Sequence, residues 1–321
     1  MSREADDRDL ATRLREKAVV RAYRASTWAL GRVPERLSEE VGGLLAESTY
    51  LAWPARRRAT RESLARVLGT TPDDPRVDRL GRRTYRNYAR YVVALMRLPS
   101  MAPHELASRV DMAAASVVDD LREQGRGVIL VGAHLGHNEA GAAAVAERGW
   151  RVSVIADDTE FRELFALLKE QRERWGVHLV PWTNLREFYS ALKRRETVGL
   201  LVDWGYRPDG VPVRFFGEWT TLPAGPAVLA ARTGAMILPV TIRMLPGGRY
   251  AASAGTPLEV ASGEPAEVAR TMQAIADAIE RSIRANPGQW WVFKPMWPTT
   301  PAERDALLAR LPDYGLTPEG A

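Results

Sequence analysis

Residues 127–139 read GVILVGAHLGHNE, and this stretch decides the fold class. The first seven are all apolar and include β-branched Val128, Ile129 and Val131, which is the signature of a strand buried on both faces. His134, Leu135, Gly136, His137 and Asn138 then form a turn, and a helical stretch runs over 139–148. Strand, turn and helix in that order open a βαβ unit.

Outward from this block the same alternation continues. Strand-like runs occupy residues 152–156, 177–181, 198–202, 236–244 and 250–254, and helical stretches occupy 160–175, 185–194, 224–232 and 265–285. This order predicts an α/β fold: a mainly parallel central sheet flanked by helices. Residues 1–120 read as helix throughout. The segment 18–29 is amphipathic, 38–53 carries Val41, Leu44, Leu45, Tyr50 and Leu51 at helical spacing, and 56–67 is strongly basic. Over 82–98, Tyr85, Tyr88, Tyr91 and Leu95 fall three and four apart, and Pro54, Pro72, Pro75 and Pro99 punctuate the segments. The predicted organisation is an N-terminal amphipathic helical segment (1–120) packed on the core or a membrane, an α/β core (121–300) and a polar C-terminal tail (301–321).

Composition narrows the function classes. Of 321 residues, 45% are hydrophobic and 26% charged, which suits a folded domain with a sizeable core. Cysteine is absent, so disulfides, thiolate nucleophiles and cysteine metal sites are excluded together. The net charge of +5 points to anionic partners. Lys occurs only at Lys17, Lys169, Lys193 and Lys294, so 41 of the 45 basic residues are Arg, a bias that reads as base composition. No run of about 18 uncharged apolar residues exists to span a membrane. MSREADDRDL lacks an apolar segment, so no secretory signal is expected there. The chain is expected to be soluble or to lie on a membrane surface.

Four histidines are present. His104 sits in a polar helical linker and His178 begins a strand, both structural or surface positions. His134 follows a buried strand, at the sheet edge where ligands bind in doubly wound folds. Across the turn, Glu139 is expected to fold back on the Nδ1 side of His134, fixing its tautomer and stabilising the imidazolium. Gly136 lets the turn be tight, and Glu139 suits the helix N-terminus. The bland alternative is a histidine ending a strand and an acid starting a helix. A metal on His134, His137 and Glu139 is disfavoured, because a turn lacks the i, i+4 geometry of a zincin pair.

HLGHNE also resembles the H-x4-D/E signature of glycerolipid acyltransferases, in the form used by the lipid A biosynthesis (late) acyltransferase family. Residues 196–243, ETVGLLVDWGYRPDGVPVRFFGEWTTLPAGPAVLAARTGAMILPVTIR, resemble that family nearly throughout, as does ANPGQW at 285–290. With QWWVFKPMWP in place of a basic C-terminal block, the sequence is more similar to the phosphatidylinositol mannoside acyltransferases than to enterobacterial lipid A enzymes. DWG at 203–205 keeps the first acid of a D-x-D-like pair and has Gly205 for the second.

The resemblance implies a peripheral acyltransferase on the cytoplasmic face of the bacterial inner membrane. Its donor is an acyl thioester, acyl-CoA or acyl carrier protein, used as substrate with no bound cofactor and no metal; its acceptor is a glycolipid hydroxyl. His134 becomes the general base and Glu139 its orienter. Asp203 is expected on the same sheet edge, either binding acceptor hydroxyls or sharing the orienting role. Arg172 or Arg174, ahead of Gly176, matches a family arginine, and with the amides near Gly136 is a candidate oxyanion donor. Phe215, Phe216 and Trp219 are expected to line an acyl tunnel or to pack in the core; Trp290, Trp291, Phe293 and Trp297 are core or interfacial residues. Arg56, Arg57, Arg58 and Arg61 are a solvated face or a contact for anionic lipid.

Three other readings stand beside this one. A nucleic-acid binder fits the charge, but the basic residues are dispersed and no RNP, KH or zinc pattern is present. A serine hydrolase would need a G-x-S-x-G elbow, which is missing. A lipid-binding protein with a dead site is the third.

Overall fold

The computed structural model describes residues 10–156, 162–181 and 184–318. The N-terminal decapeptide, apart from its last residue, and the predicted helix start at Glu160 lie outside them. Four helices open the chain: α1 (Leu10–Leu30), α2 (Glu35–Ala52), α3 (Pro54–Leu68) and α4 (Pro75–Arg97). Proline opens both α3 and α4, where its missing N–H is no loss. Asp74 caps α4 by accepting from the Arg76 amide at 2.7 Å.

A short helix, α5 (Pro103–Ser108), leads into strand β1 (Val110–Asp111) and helix α6 (Ala115–Glu123). The alternating core follows: β2 (Val128–Gly132), α7 (Asn138–Glu147), β3 (Val152–Ala156), α8 (Arg162–Glu173), β4 (Val177–Pro181), α9 (Leu185–Lys193) and β5 (Thr197–Leu201). A hairpin of β6 (Val211–Phe215) and β7 (Glu218–Leu222) precedes α10 (Gly225–Thr233), β8 (Met236–Leu245), β9 (Arg249–Ala254) and α11 (Pro265–Ala285). Last comes α12 (Pro301–Ala309).

Seven strands form one sheet in the order β1-β9-β8-β2-β5-β3-β4. All pairs are parallel except β8 with β9, so the predicted mainly parallel sheet is present. Each strand sends alternate residues to opposite faces. Ile129, Val131, Val198 and Ile237 meet α9, α10 and α11 on one face. Val128, Val152 and Leu238 meet α6 and α7 on the other.

The N-terminal helices dock on this core. Tyr23 of α1 donates to Gln171 of α8 at 3.0 Å, and Asn87 of α4 donates to the Gly288 carbonyl at 2.8 Å. Three features depart from the expectation. Residues 110–111 are a strand inside the predicted helical segment. The stretch 211–222 is a hairpin turned by Phe216 and Gly217, both at positive φ. The expected polar tail is folded as far as Tyr314. Thr300 and Glu303 make a capping box for α12, and Leu307 and Leu311, four apart, are buried.

Candidate active site

The sheet register assembles the site. β2 and β5 are parallel neighbours with Gly132 opposite Leu201. Two residues beyond each lie His134 and Asp203, so the two side chains leave adjacent strand ends side by side. Asp203 Oδ1 is 2.7 Å from His134 Nδ1, and the carboxylate also accepts from the His134 backbone amide at 2.9 and 3.0 Å. Trp290 Nε1 donates to Asp203 Oδ2 at 2.7 Å. His134 Nε2 makes no hydrogen bond to a described residue, and the side chain is 25% exposed.

This arrangement corrects the expected pairing of His134 with Glu139. Glu139 is the first helical turn's acid, and α7 carries it away from the imidazole. Its carboxylate accepts from Tyr91 Oη at 3.1 and 3.2 Å and from Arg172 Nη2 at 3.2 Å. His137 Nδ1 lies 3.7 Å from Glu139 and accepts from the Ala140 amide, which makes His137 the N-cap of α7. The acid facing His134 is Asp203, 69 residues away, which lies on the expected sheet edge and takes the orienting position of the two roles open to it.

Charge and burial set the protonation states. Burial pushes His134 down, but the Asp203 carboxylate, with a smaller contribution from Glu139, overcomes it and leaves the imidazole above its ordinary value. Burial pushes Asp203 up; the His134 ring and the Trp290 donor outweigh it and hold the carboxyl below the usual range. Glu139 is likewise held ionised against burial, chiefly by Arg172. His137 is fully enclosed and burial lowers it, so it stays neutral.

The turn is pinned from behind by the C-terminal block. Gly136 donates to the Gln289 carbonyl at 3.0 Å, Trp291 donates its amide to the His134 carbonyl at 2.7 Å, and Trp291 Nε1 donates to the Gly136 carbonyl at 2.9 Å. Gly136 has φ of 68°, and a Cβ there would sit 1.8 Å from the Ile242 carbonyl oxygen. Only glycine fits. Gly136 is the expected turn former, and because its amide is committed to Gln289 it is not itself an oxyanion donor.

A cavity of about 500 Å³ opens at His134, within the usual range of about 300–1,000 Å³ for ligand sites. It runs under the sheet face covered by α6 and α7, from Gly132 and Val202 at the C-terminal edge back to Val152, Val177 and Trp150. Its walls are mostly apolar, among them Met112, Val118, Leu130 and Val154; the charged residues lining it are Glu139, Arg172 and Arg207, with His134.

Arg172 therefore belongs to the site. Arg174 is exposed and does not line the cavity. Phe215 and Phe216 are corrected as well: both are buried on the opposite side of the sheet, away from the cavity. Their ring centroids are 4.7 Å apart and 5.9–6.1 Å from those of Trp290 and Trp297, so they buttress the tryptophan that holds Asp203. Trp290, Trp291 and Trp297 are core residues. His104 is exposed, and His178 pairs at the surface with Glu187 at 2.6 Å.

The site thus sets an imidazole–carboxylate pair at the edge of an α/β sheet, where it opens into a mostly apolar cavity. The bacterial lipid A biosynthesis acyltransferase family matches residues 7–299, and the chain belongs to it. Among curated proteins it is 30% identical to the phosphatidylinositol mannoside acyltransferase of Mycolicibacterium smegmatis, over 85% of this chain and 90% of that one. It is 29% identical to the enzyme of the same name from Mycobacterium tuberculosis, over 86% and 87% of the two chains. The protein is an acyltransferase.

Proposed function

We propose that this acyltransferase moves a fatty acyl group from an acyl thioester to a hydroxyl of a phosphatidylinositol mannoside-like glycolipid. The carrying observation is an imidazole whose Nδ1 is held by Asp203 while Nε2 stands free at the mouth of an apolar cavity. In this reading Nε2 takes the proton from the acceptor hydroxyl as its oxygen attacks the thioester carbonyl. The tetrahedral intermediate collapses with loss of the thiolate, which recovers that proton from the imidazolium. Asp203 fixes the tautomer and stabilises the charged ring. The cavity takes the alkyl chain, with each buried methylene contributing about 0.8 kcal/mol. Arg172 is the candidate donor for the oxyanion, the fully committed Gly136 amide having been removed from that role. Acyl-CoA is the donor this reading takes, with acyl carrier protein as the other thioester source.

Mixing the protein with a long-chain acyl-CoA and a phosphatidylinositol mannoside should give one acylated glycolipid and free CoA, resolved by mass spectrometry. Release of fatty acid and CoA with no acylated acceptor makes it a thioester hydrolase and contradicts the proposal.

Membrane attachment is part of the reading. No helix of the described residues is long and apolar enough to cross a membrane. On α2, however, Leu37, Val41, Leu44 and Leu45 stand exposed at helical spacing, and Arg56 and Arg58 in the first turns of α3 are exposed as well. In this reading the apolar face rests on an anionic bilayer at the cytoplasmic face of the inner membrane. Burying one leucine contributes about 1.5–3 kcal/mol. Replacing Leu44 and Leu45 with serine should therefore lower partitioning onto anionic vesicles at least about tenfold in a flotation assay. Unchanged flotation removes the membrane role of this face.

A further inference from the structure

Trp204 stands apart from the other tryptophans beside the site. Trp150, Trp175, Trp290, Trp291 and Trp297 are buried, whereas Trp204 is 61% exposed although it directly follows the fully buried Asp203. Leaving so large an apolar surface in water is unfavourable unless something covers it. Its position is fixed, because Asp203 is anchored by the His134 amide and Trp290. Gly205 follows at φ of 125°, a conformation that suits glycine and turns the chain away. The indole centroid lies 5.0 Å from that of His134, with the planes tilted by 44°. The Lys294 ammonium sits 4.3 Å from the indole centroid, within cation–π range. Beside the base there is thus an aromatic plate with a cation against it, on the rim of the cavity.

From this geometry we infer that Trp204 is the platform for the acceptor, and that it selects a hydroxyl borne on a hexopyranoside ring over one on an open chain. The inference rests on the acyl-transfer reading above and names how its acceptor is recognised. A pyranose presents a patch of C–H hydrogens on one face, positively polarised and complementary to the negative face of an aromatic ring. Its hydroxyls project from the edge. With the ring against Trp204, an edge hydroxyl is directed at His134 Nε2, and neighbouring oxygens are within reach of the Lys294 ammonium, a three-donor group. An open-chain polyol has the same oxygens but no preformed apolar face, so it must lose more conformational freedom for a poorer contact.

The test compares methyl α-mannopyranoside with mannitol as soluble acceptors, using one long-chain acyl-CoA. The wild type should prefer the ring by kcat/KM. Trp204→Ala should reduce that preference about tenfold, the upper end for an aromatic contact, mainly through the acceptor KM; Trp204→Phe, which keeps a flat ring, should retain most of it. Because the side chain is exposed, neither change threatens the fold. An undiminished preference in Trp204→Ala overturns the inference. An equal loss with both acceptors also overturns it, since Trp204 would then act only by positioning His134. Saturation-transfer NMR with methyl α-mannopyranoside reads the contact without catalysis. The ring C–H signals should persist with His134→Ala and vanish with Trp204→Ala; signals that persist in Trp204→Ala overturn the platform. If His134→Ala transferred acyl groups normally, the catalytic reading would fail while this binding result still decided the platform.

Discussion

His134→Ala should lower the rate of acyl transfer about 10²–10⁴-fold, the usual contribution of a positioned general base. The acceptor hydroxyl is a poor nucleophile while it keeps its proton, and Nε2 is the basic atom standing free at the cavity mouth. The fold should survive the change. Asp203 keeps two donors, the residue 134 amide and Trp290 Nε1, so its buried carboxylate is not left without partners. The measurement is single-turnover transfer from acyl-CoA, with a thermal melt on the same preparation. A melt near that of the wild type with transfer nearly abolished is the expected pair of results. Full activity in His134→Ala would favour the reading in which the cavity merely binds lipid and the imidazole is inert.

Asp203→Asn and Glu139→Gln separate the two acids, and the first should be nearly as damaging to catalysis as loss of the imidazole. An asparagine cannot stabilise an imidazolium by charge, and its amide group can hold the wrong tautomer. A comparable change in a Ser-His-Asp triad costs about 10⁴-fold. Glu139→Gln should act differently. The acid lies against Arg172 and Tyr91 and has no direct bond to His134. Neutralising it leaves a largely buried guanidinium without its counter-charge, so the main effect is on stability, about 1–3 kcal/mol. Thermal melts and kcat together check the contrast. Loss of turnover in Glu139→Gln at unchanged stability, with Asp203→Asn nearly normal, would return the orienting role to the acid within the H-x4-E stretch.

Much of this was legible in the residues. The run GVILVGA, repeated in kind at 152–156 and 177–181, has no polar face, and a strand without one must be covered on both sides; hence the parallel sheet. His134 was legible as a strand-end imidazole. Asp203 was legible at the same sheet edge, with orienting His134 as one of two roles; that it alone meets the imidazole was not, because the pairing of β2 with β5 brings together positions 69 apart. The nearest signal is that Asp203 follows its strand by the same two residues that His134 follows its own. Phe215 and Phe216 misled because an apolar aromatic pair looks alike in a tunnel wall and in a core, and a hairpin turned by Phe216 at positive φ places them on the far side of the sheet. The C-terminal tail looked polar because Leu307 and Leu311, which anchor it, are spaced for one narrow helical contact.

The pH dependence of kcat/KM in wild type and Asp203→Asn tests the central claim most directly. The base works when neutral, so activity falls as pH drops through the His134 pKa. Asp203 holds that pKa above the ordinary 6.5, which puts the wild-type acid limb above pH 6.5. Removing the carboxylate leaves burial dominant, so in Asp203→Asn the limb should move to lower pH while the plateau falls. A limb that stays in place in Asp203→Asn and shifts in Glu139→Gln would contradict the His134–Asp203 pair as the catalytic unit.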